Sequence, residues 1–333
     1  MKNIEKVMSS YGVKPVKILK ISDRVHKIDD GQHQYSLKKS VLTHQSVKKW
    51  EQVFHHAQQH QLSEILSIFV TIKNSFYTIS NDEFYYLMPW IDGKTSNIKQ
   101  LYRSIGKIHQ KTRQPQLIDY NQMRNHFTQY GHYCDEVQKK LLTYVKQFES
   151  HIYMSPLELQ VCTHYRDLEL ATKKAQELIR QLSSSQAKQK NWDYSLCHGN
   201  LRLSHSLIGI DNLYFINWEQ VTYNYPATDL FILFKNELIN YDAPTKLWIH
   251  SFKVYMEENQ LQNDELSLLL IYLLDLTTYL KRIQQYIDQI SNQSIINQIK
   301  KLQIEYRRIK FGLQFAEFIS QNYFSKINPD LED

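Results

Sequence analysis

The hydrophobic pattern of this chain changes at Gly93. Before Gly93, short segments rich in β-branched residues alternate apolar with polar side chains, a pattern typical of strands. These segments are residues 16–28, 33–41, 65–72, 75–80 and 83–91. One helical pattern, over residues 43–60, interrupts them, and after Gly93 apolar residues mostly recur every three or four positions. The sequence therefore predicts an α+β protein with a β-rich domain over residues 1–92 and a helical domain over residues 93–333.

The helical part contains four marked segments and one β island. Leu101, Ile105 and Ile108 mark the first helix by their spacing. A long helical pattern follows Ser155–Pro156, and another runs from residue 295 onward with apolar residues on one face. The run LSLLLIYLL at 266–274 has too few residues to span a bilayer, so it predicts a buried helix. Between these helices, residues 194–199 and 213–219 read as short strands.

The composition is that of a soluble globular protein. The chain has 333 residues, a formal net charge of +6 and 8 glycines. Its three cysteines lie far apart without metal-ligand spacing, which favours a reducing compartment, and its first residues have no apolar signal segment. We therefore expect a cytoplasmic protein without a membrane span.

Basic residues are concentrated in two segments, residues 98–113 and 299–310. Both follow helical spacing, so a solvated helix face is the default interpretation and a patch for an acidic partner is the alternative. Nucleic-acid binding is not expected, since no motif supports it.

The loop at 195–208, SLCHGNLRLSHSLI, has the spacing of a phosphoryl-transfer catalytic loop. In such loops His-x-Asp is followed, after four residues, by Asn; the Asp takes the substrate proton and the Asn holds magnesium. Here Asn200 stands in the Asp position and His205 in the Asn position. An amide cannot act as a general base, and imidazole is a poor ligand for magnesium. We expect His198 to brace this loop.

The segment YFINWEQV also has a neutral residue where a phosphoryl-transfer site has an acidic one. A metal-binding Asp is expected where Asn217 stands, before Trp218 and Glu219. Asn217 offers one neutral oxygen, whereas magnesium in a nucleotide complex requires anionic oxygens. The sequence therefore predicts no metal site and no binding of ATP and magnesium.

The nucleotide-binding part of such a site is only partly present. Lys38 follows an apolar residue on a predicted strand just before the helix at 43–60, where Glu51 is the sole carboxylate. We expect Lys38 and Glu51 to be a vestigial cofactor-binding pair, with a surface strand lysine as the alternative. The turn before Lys38 has bulky Arg24 where a glycine-rich loop would cover phosphates.

These segments resemble motifs of the aminoglycoside and choline phosphotransferase superfamily, in the correct order along nearly the whole chain. HGN…SH, INWEQV and YPATDLF are similar to its H-G-D-x-x-x-x-N, I-D-W-E and P-x-x-D-L motifs. YSLKKS, YYLMPWIDGK and LYRSIGKIHQKTR look like its β3 lysine, hinge strand and following helix. The resemblance implies a bilobal protein kinase-like fold. His198, Gly199, Trp218, Glu219 and Asp229 then belong to structural motifs, with Asp229 bracing a loop or capping a helix.

Within that superfamily the chain looks most like spore-coat proteins of the CotS type, nearest the YsxE-like branch. The opening YGVKP…ISDRVHKI and the altered catalytic loop suggest this branch. The resemblance implies a pseudokinase that starts in the cytoplasm of the mother cell, ends in the spore coat and has other coat proteins as partners. Two alternatives stay open: a small-molecule phosphotransferase with a rewired site, and a nucleotide-sensing pseudokinase.

Overall fold

The computed structural model describes residues 2–117, 120–185, 191–290 and 292–324. The strands are β1 (Lys17–Lys20), β2 (Val25–Asp29), β3 (Gln34–Lys39), β4 (Thr78–Ser80), β5 (Glu83–Pro89), β6 (Lys94–Thr95), β7 (Gln114–Leu117), β8 (Asn191–Cys197), β9 (Ser206–Ile208), β10 (Leu213–Phe215) and β11 (Thr222–Asn224). The helices are α1 (Lys2–Ser9), α2 (Val47–Gln59), α3 (Ile98–Lys111), α4 (Tyr120–Glu149), α5 (Pro156–Ser185), α6 (Pro226–Glu237), α7 (Thr245–Glu258), α8 (Asn263–Leu274), α9 (Thr277–Ile287) and α10 (Ile295–Ile319).

The chain divides into two compact units. The first contains Met1–Arg113, Ser195–Asn224 and Glu257–Asn259, and the second contains Gln114–Tyr194, Tyr225–Met256 and Gln260–Asp333. The boundary predicted between residues 92 and 93 falls inside the first unit. This is the kinase-like α+β fold that was expected, with a small antiparallel N-terminal sheet followed by a mostly helical C-terminal part.

The first unit is built on an antiparallel sheet with the strand order β1-β2-β3-β5-β4. Side chains alternate across the two faces of a strand. On one face Leu37 and its cross-strand neighbour Leu87 join Val7 and Met8 of α1 in a buried cluster. On the other face Lys38 lies opposite Tyr86 across the β3–β5 pair.

Two predictions about this sheet were wrong. Residues 16–28 form two strands, β1 and β2, because Ile21 and Ser22 donate their backbone N–H groups to Val25 O and close a tight turn. Residues 65–72 form no regular strand: the segment makes an isolated bridge at Ile65 and one backbone hydrogen bond from Phe69 to β5. The helix predicted at 43–60 is α2, which begins only at Val47.

The other strands of the first unit lie in or beside the loop at 195–208 and the segment YFINWEQV. The strand order β10-β9-β6 forms a small sheet, and β11 pairs with residues 195–197 of β8. Residues 194–199 and 213–219 therefore do not pair with each other. Helix α3 buries Leu101, Ile105 and Ile108, as its spacing predicted.

The second unit consists mainly of helices packed around α8, which contacts α5, α6 and α10. The apolar run at 266–274 lies in α8 and is almost entirely buried, as predicted. Arg308 of α10 stabilises the end of α8, since its guanidinium donates to the carbonyls of Tyr272, Leu273 and Asp275 at 2.6–3.1 Å. In the described part of the chain, no helix is both long and apolar enough to cross a membrane.

Candidate functional site

Lys38 lies at the centre of the candidate site, in the first unit. Its ammonium Nζ is 3.2 Å from Glu219 Oε1, and it donates a hydrogen bond to Asn217 Oδ1. Burial lowers the pKa of Lys38, and the neighbouring Glu219 carboxylate partly opposes this shift. The ammonium is therefore a buried cation that depends on the segment at 217–219 for its partners.

Glu219 accepts hydrogen bonds from four side chains. Besides Lys38, Ser40 Oγ donates to Oε1 at 2.8 Å and Arg24 Nη2 donates to Oε2 at 3.0 Å. The Tyr86 hydroxyl lies 3.4 Å from Oε1, and burial, then Glu219, raise the pKa of that hydroxyl well above its usual value. Both carboxylate oxygens are thus already used by protein donors.

The backbone conformation of Asn217 positions the side chains of Asn217 and Glu219 next to Lys38. Strand β10 ends at Phe215, and Asn217 then adopts left-handed dihedral angles, φ 70° and ψ 43°. Asn is among the few residues other than Gly that tolerate this region. A short 3₁₀ turn at Trp218–Gln220 follows, fixed by a 3.0 Å hydrogen bond from Trp218 Nε1 to Phe215 O. The reversal brings Asn217 and Glu219 to Lys38.

His198 braces the loop from inside. Its ring is fully buried; Nδ1 accepts from the backbone N–H of Asn200 at 3.2 Å, so Nε2 carries the proton and donates to Ile216 O at 2.8 Å. The ring also packs against Trp218, with centroids 4.7 Å apart. His198 therefore connects the loop to the strand that precedes Asn217.

Gly199 allows the loop to approach the 3₁₀ turn. Its φ is +75°, and a Cβ atom at this position would lie 1.9 Å from Gln220 O. Both the backbone conformation and the available space therefore require glycine. This close approach fixes the loop against the segment that carries Glu219.

Asn200 and His205 are held by the loop itself. Asn200 Oδ1 accepts from Arg202 Nε at 3.2 Å, and His205 Nδ1 donates to the Asn200 carbonyl at 2.9 Å. Burial, followed by the neighbouring His198, lowers the pKa of His205 to about 4. His205 is therefore a neutral imidazole at neutral pH.

Glu51 is not the partner of Lys38, contrary to the prediction. Among the described residues no hydrogen bond or ion pair joins the two, and Glu219 interacts with Lys38 instead. The reason lies in α2, whose buried face carries Trp50 packed against Tyr86 at 4.9 Å between centroids. Because Trp50 takes the position over the sheet, Glu51 turns to a different side of the helix.

Three members of the site are not predicted from the sequence: Arg24, Ser40 and Tyr86. The position of Arg24 in a turn where a glycine-rich loop is expected is the one local signal, since a cation there indicates a nearby carboxylate. Ser40 and Tyr86 follow from strand register, which a single sequence does not reveal. Asp229 lies buried in the first turn of α6, in the second unit.

Comparisons with known proteins agree with this fold. The sequence pattern of the family described as "Phosphotransferase enzyme family" matches residues 13–258. No curated protein matched the chain.

Among solved structures, the chain is similar to an aminoglycoside phosphotransferase from Alicyclobacillus acidocaldarius, with 15% identity, 95% of each chain covered and a TM-score of 0.68. It is also similar to an AMP-bound spectinomycin phosphotransferase, at 15% identity, with 94% of this chain and 97% of that chain covered and a TM-score of 0.57. A microcompartment-associated aminopropanol kinase aligns at 11% identity over 94% and 97% of the two chains, with a TM-score of 0.56. At such low identities these likenesses concern the fold, whereas the family match covers well over half of the sequence. The chain therefore belongs to the phosphotransferase enzyme family and has its kinase-like fold.

Proposed function

We propose that this protein is a catalytically inactive member of its family, a pseudokinase that serves as an assembly or structural component of a bacterial spore coat. One observation carries the proposal of inactivity. The buried cation Lys38 and the carboxylate Glu219 satisfy each other, while neutral amides stand at Asn200 and Asn217.

The chemistry of the site explains why this arrangement does not favour phosphoryl transfer. A general base contributes about 10²–10⁴-fold to such reactions, and the Asn200 amide cannot accept a proton. The residues also do not fit a magnesium–nucleotide complex. Asn217 Oδ1 already accepts from Lys38, and both oxygens of Glu219 accept from other donors, which leaves no free anionic oxygen among them.

The proposed role in the spore coat rests on the resemblance in sequence. The altered catalytic loop and the opening segment resemble the CotS-type, YsxE-like proteins, and a fold without catalysis suits a protein that acts through binding. We expect synthesis in the mother-cell cytoplasm, final location in the coat and other coat proteins as partners. A fluorescent fusion expressed in sporulating cells of the source species should form a ring around the forespore. Uniform mother-cell fluorescence throughout sporulation would contradict this role.

Activity is tested with purified protein, magnesium and ATP. We expect no ATP hydrolysis and no phosphorylation of choline, aminoglycosides or sugars above a blank without protein. The matched control is the variant Lys38→Ala: turnover that is present in the parent protein and lost in this variant would overturn the proposal.

Two other functions have some support. His205 donates from Nδ1 to the Asn200 carbonyl, so its Nε2 keeps a lone pair, which favours a phosphotransferase with a rewired site; its lowered pKa, about 4, makes it a weak base. Lys38 has kept its buried position on β3, which favours a protein that binds a nucleotide without turnover. A magnesium-dependent rise in melting temperature with millimolar ATP, without turnover, would select the second; a ligand at 100 times its Kd adds about 2.7 kcal/mol to stability.

A further inference from the structure

The basic segment at 299–310 contributes lining residues to cavities that lie outside the candidate site around Lys38. It lies in α10, where Lys301 is only partly exposed. Lys301 and Arg282 of α9 together line two cavities in the second unit. The basic segment is therefore more than a solvated helix face.

The first cavity, of about 280 Å³, is lined by groups that can donate hydrogen bonds to an anion. Its described lining residues are Arg282, Gln285, Ile290, Asn292, Gln293, Gln298 and Lys301. They comprise two cations, four carboxamides and one apolar residue, with no carboxylate among them. A cavity of this composition favours a negatively charged occupant.

The second cavity, of about 220 Å³, extends the positive charge. Lys235 and Arg308 line it in addition to Arg282 and Lys301, and Glu305 is the sole carboxylate among its described lining residues. Glu305 already interacts with Arg308 at 3.2 Å, and Arg308 is otherwise occupied by carbonyls of α8. Lys235, Arg282 and Lys301 have no ion-pair partner in the described part of the chain.

The hydrogen bonding of Arg282 is a second indication of an anion site, independent of the composition of the cavities. Its Nε is buried and has no hydrogen-bond partner among the described residues, and its Nη1 makes only a 3.5 Å contact to Gln285 Oε1. An unsatisfied buried donor destabilises a protein, more so when it is charged. An acceptor oxygen in the cavity would remove this cost. Arg binds phosphate and carboxylate oxygens through two donors at once.

We propose that Arg282 and Lys301 form the centre of a binding site for a small polyanion carrying phosphate groups. The cavities lie at or below the lower end of the volume range of small-molecule sites, roughly 300–1,000 Å³, so the ligand is small. Lys235, which lines the second cavity, would contact a second negatively charged group. This site is independent of the proposed pseudokinase function, because none of its residues belongs to the first unit.

The test uses inorganic pyrophosphate as the probe and titration calorimetry at constant ionic strength. We expect saturable binding, weakened about tenfold or more in Arg282→Gln and in Lys301→Gln, since each loses a charge-assisted hydrogen bond. Lys300→Gln is the matched control: Lys300 is the preceding residue, is exposed and lines neither cavity. It should bind like the parent protein.

Several results would overturn the proposal: no saturable binding, or equal weakening by Lys300→Gln, which would indicate non-specific charge attraction. Citrate that binds more tightly than pyrophosphate with the same residue dependence would overturn the assignment to phosphate. The variant Lys301→Arg keeps the charge and should retain binding even if Lys301→Gln folds poorly. A loss of binding in Arg282→Gln and Lys301→Gln, both in the second unit, separates this site from the candidate site around Lys38.

Discussion

Lys38 and Glu219 form a buried ion pair in which Nζ lies 3.2 Å from Oε1 and 7% of each side chain is exposed. Removing one partner of such a pair leaves an uncompensated charge away from water, which costs about 3–5 kcal/mol. The first two predictions follow from this relationship.

Glu219→Gln should lower the free energy of unfolding by about 3 kcal/mol, because Lys38 then keeps its charge without a carboxylate. Urea unfolding followed by circular dichroism measures the change. Glu51→Gln is the control and should change stability by less than about 0.5 kcal/mol, since Glu51 makes no described ion pair. An equal loss in both variants would mean that the pair has no special role.

A double-mutant cycle should show that Lys38 and Glu219 are energetically coupled. We expect Lys38→Met combined with Glu219→Gln to be more stable than the sum of the single changes implies, by about 0.5–3 kcal/mol. The reason is that the double variant contains neither unpaired charge. Chemical denaturation of all four proteins gives the coupling energy. Additive effects would show that the two charges are compensated separately.

Gly199→Ala should destabilise the protein far more than Gly12→Ala. The two glycines have similar φ angles, +75° and +72°, so backbone strain contributes about 1–3 kcal/mol to each substitution. A Cβ at Gly199 would in addition lie 1.9 Å from Gln220 O, whereas at Gly12 its closest contact would be 3.7 Å from Ile72 Cγ1. Melting temperatures of the two variants test this. Similar losses would show that the 3₁₀ turn moves aside easily.

Stability should fall as the pH is lowered from about 6.5 to about 4, in part because of His205. Its pKa is lowered from 6.5 to about 4 in the folded protein, so the unfolded chain binds the proton more tightly across this window. The contribution is fully present above pH 6.5 and is lost as the pH falls towards 4. His164, whose pKa burial also lowers to about 4, acts in the same direction.

Free energies of unfolding measured at several pH values check this expectation. His205→Gln should show a smaller loss between pH 6.5 and 4 than the parent protein. The control His33→Gln replaces an exposed histidine and should follow the parent curve. If both variants follow the parent curve, His205 does not take part in the acid transition.

Helices of this protein could be predicted well because their evidence is local. The spacing of Leu101, Ile105 and Ile108 marked the buried face of α3, and the run at 266–274 marked α8. The strand error at 65–72 has a different cause. A β-branched segment becomes a strand only if it forms a ladder of hydrogen bonds with a neighbour, and this segment makes a single backbone hydrogen bond to β5, from Phe69.

The candidate site, like the fold, could be predicted from the sequence only where the evidence lies within one short segment. The residue types at Asn200, His205 and Asn217 could be recognised from motif spacing within one segment of sequence. The partner of Lys38 could not, because the choice between Glu51 and Glu219 depends on how Trp50 packs and on a left-handed turn at Asn217. Both are decided by tertiary structure.

The residues of the candidate site lie far apart in the sequence, and this separation determines when they can meet during synthesis. Ser40 and its acceptor Glu219 are 179 residues apart, so at about 5–20 residues per second a ribosome needs roughly 10 to 35 seconds between them. A nascent chain that has reached Arg113 contains the whole five-stranded sheet, yet its Lys38 ammonium lacks a carboxylate. The contacts of Lys38 and Ser40 with Glu219 therefore cannot form until residues 195–224 have left the ribosome.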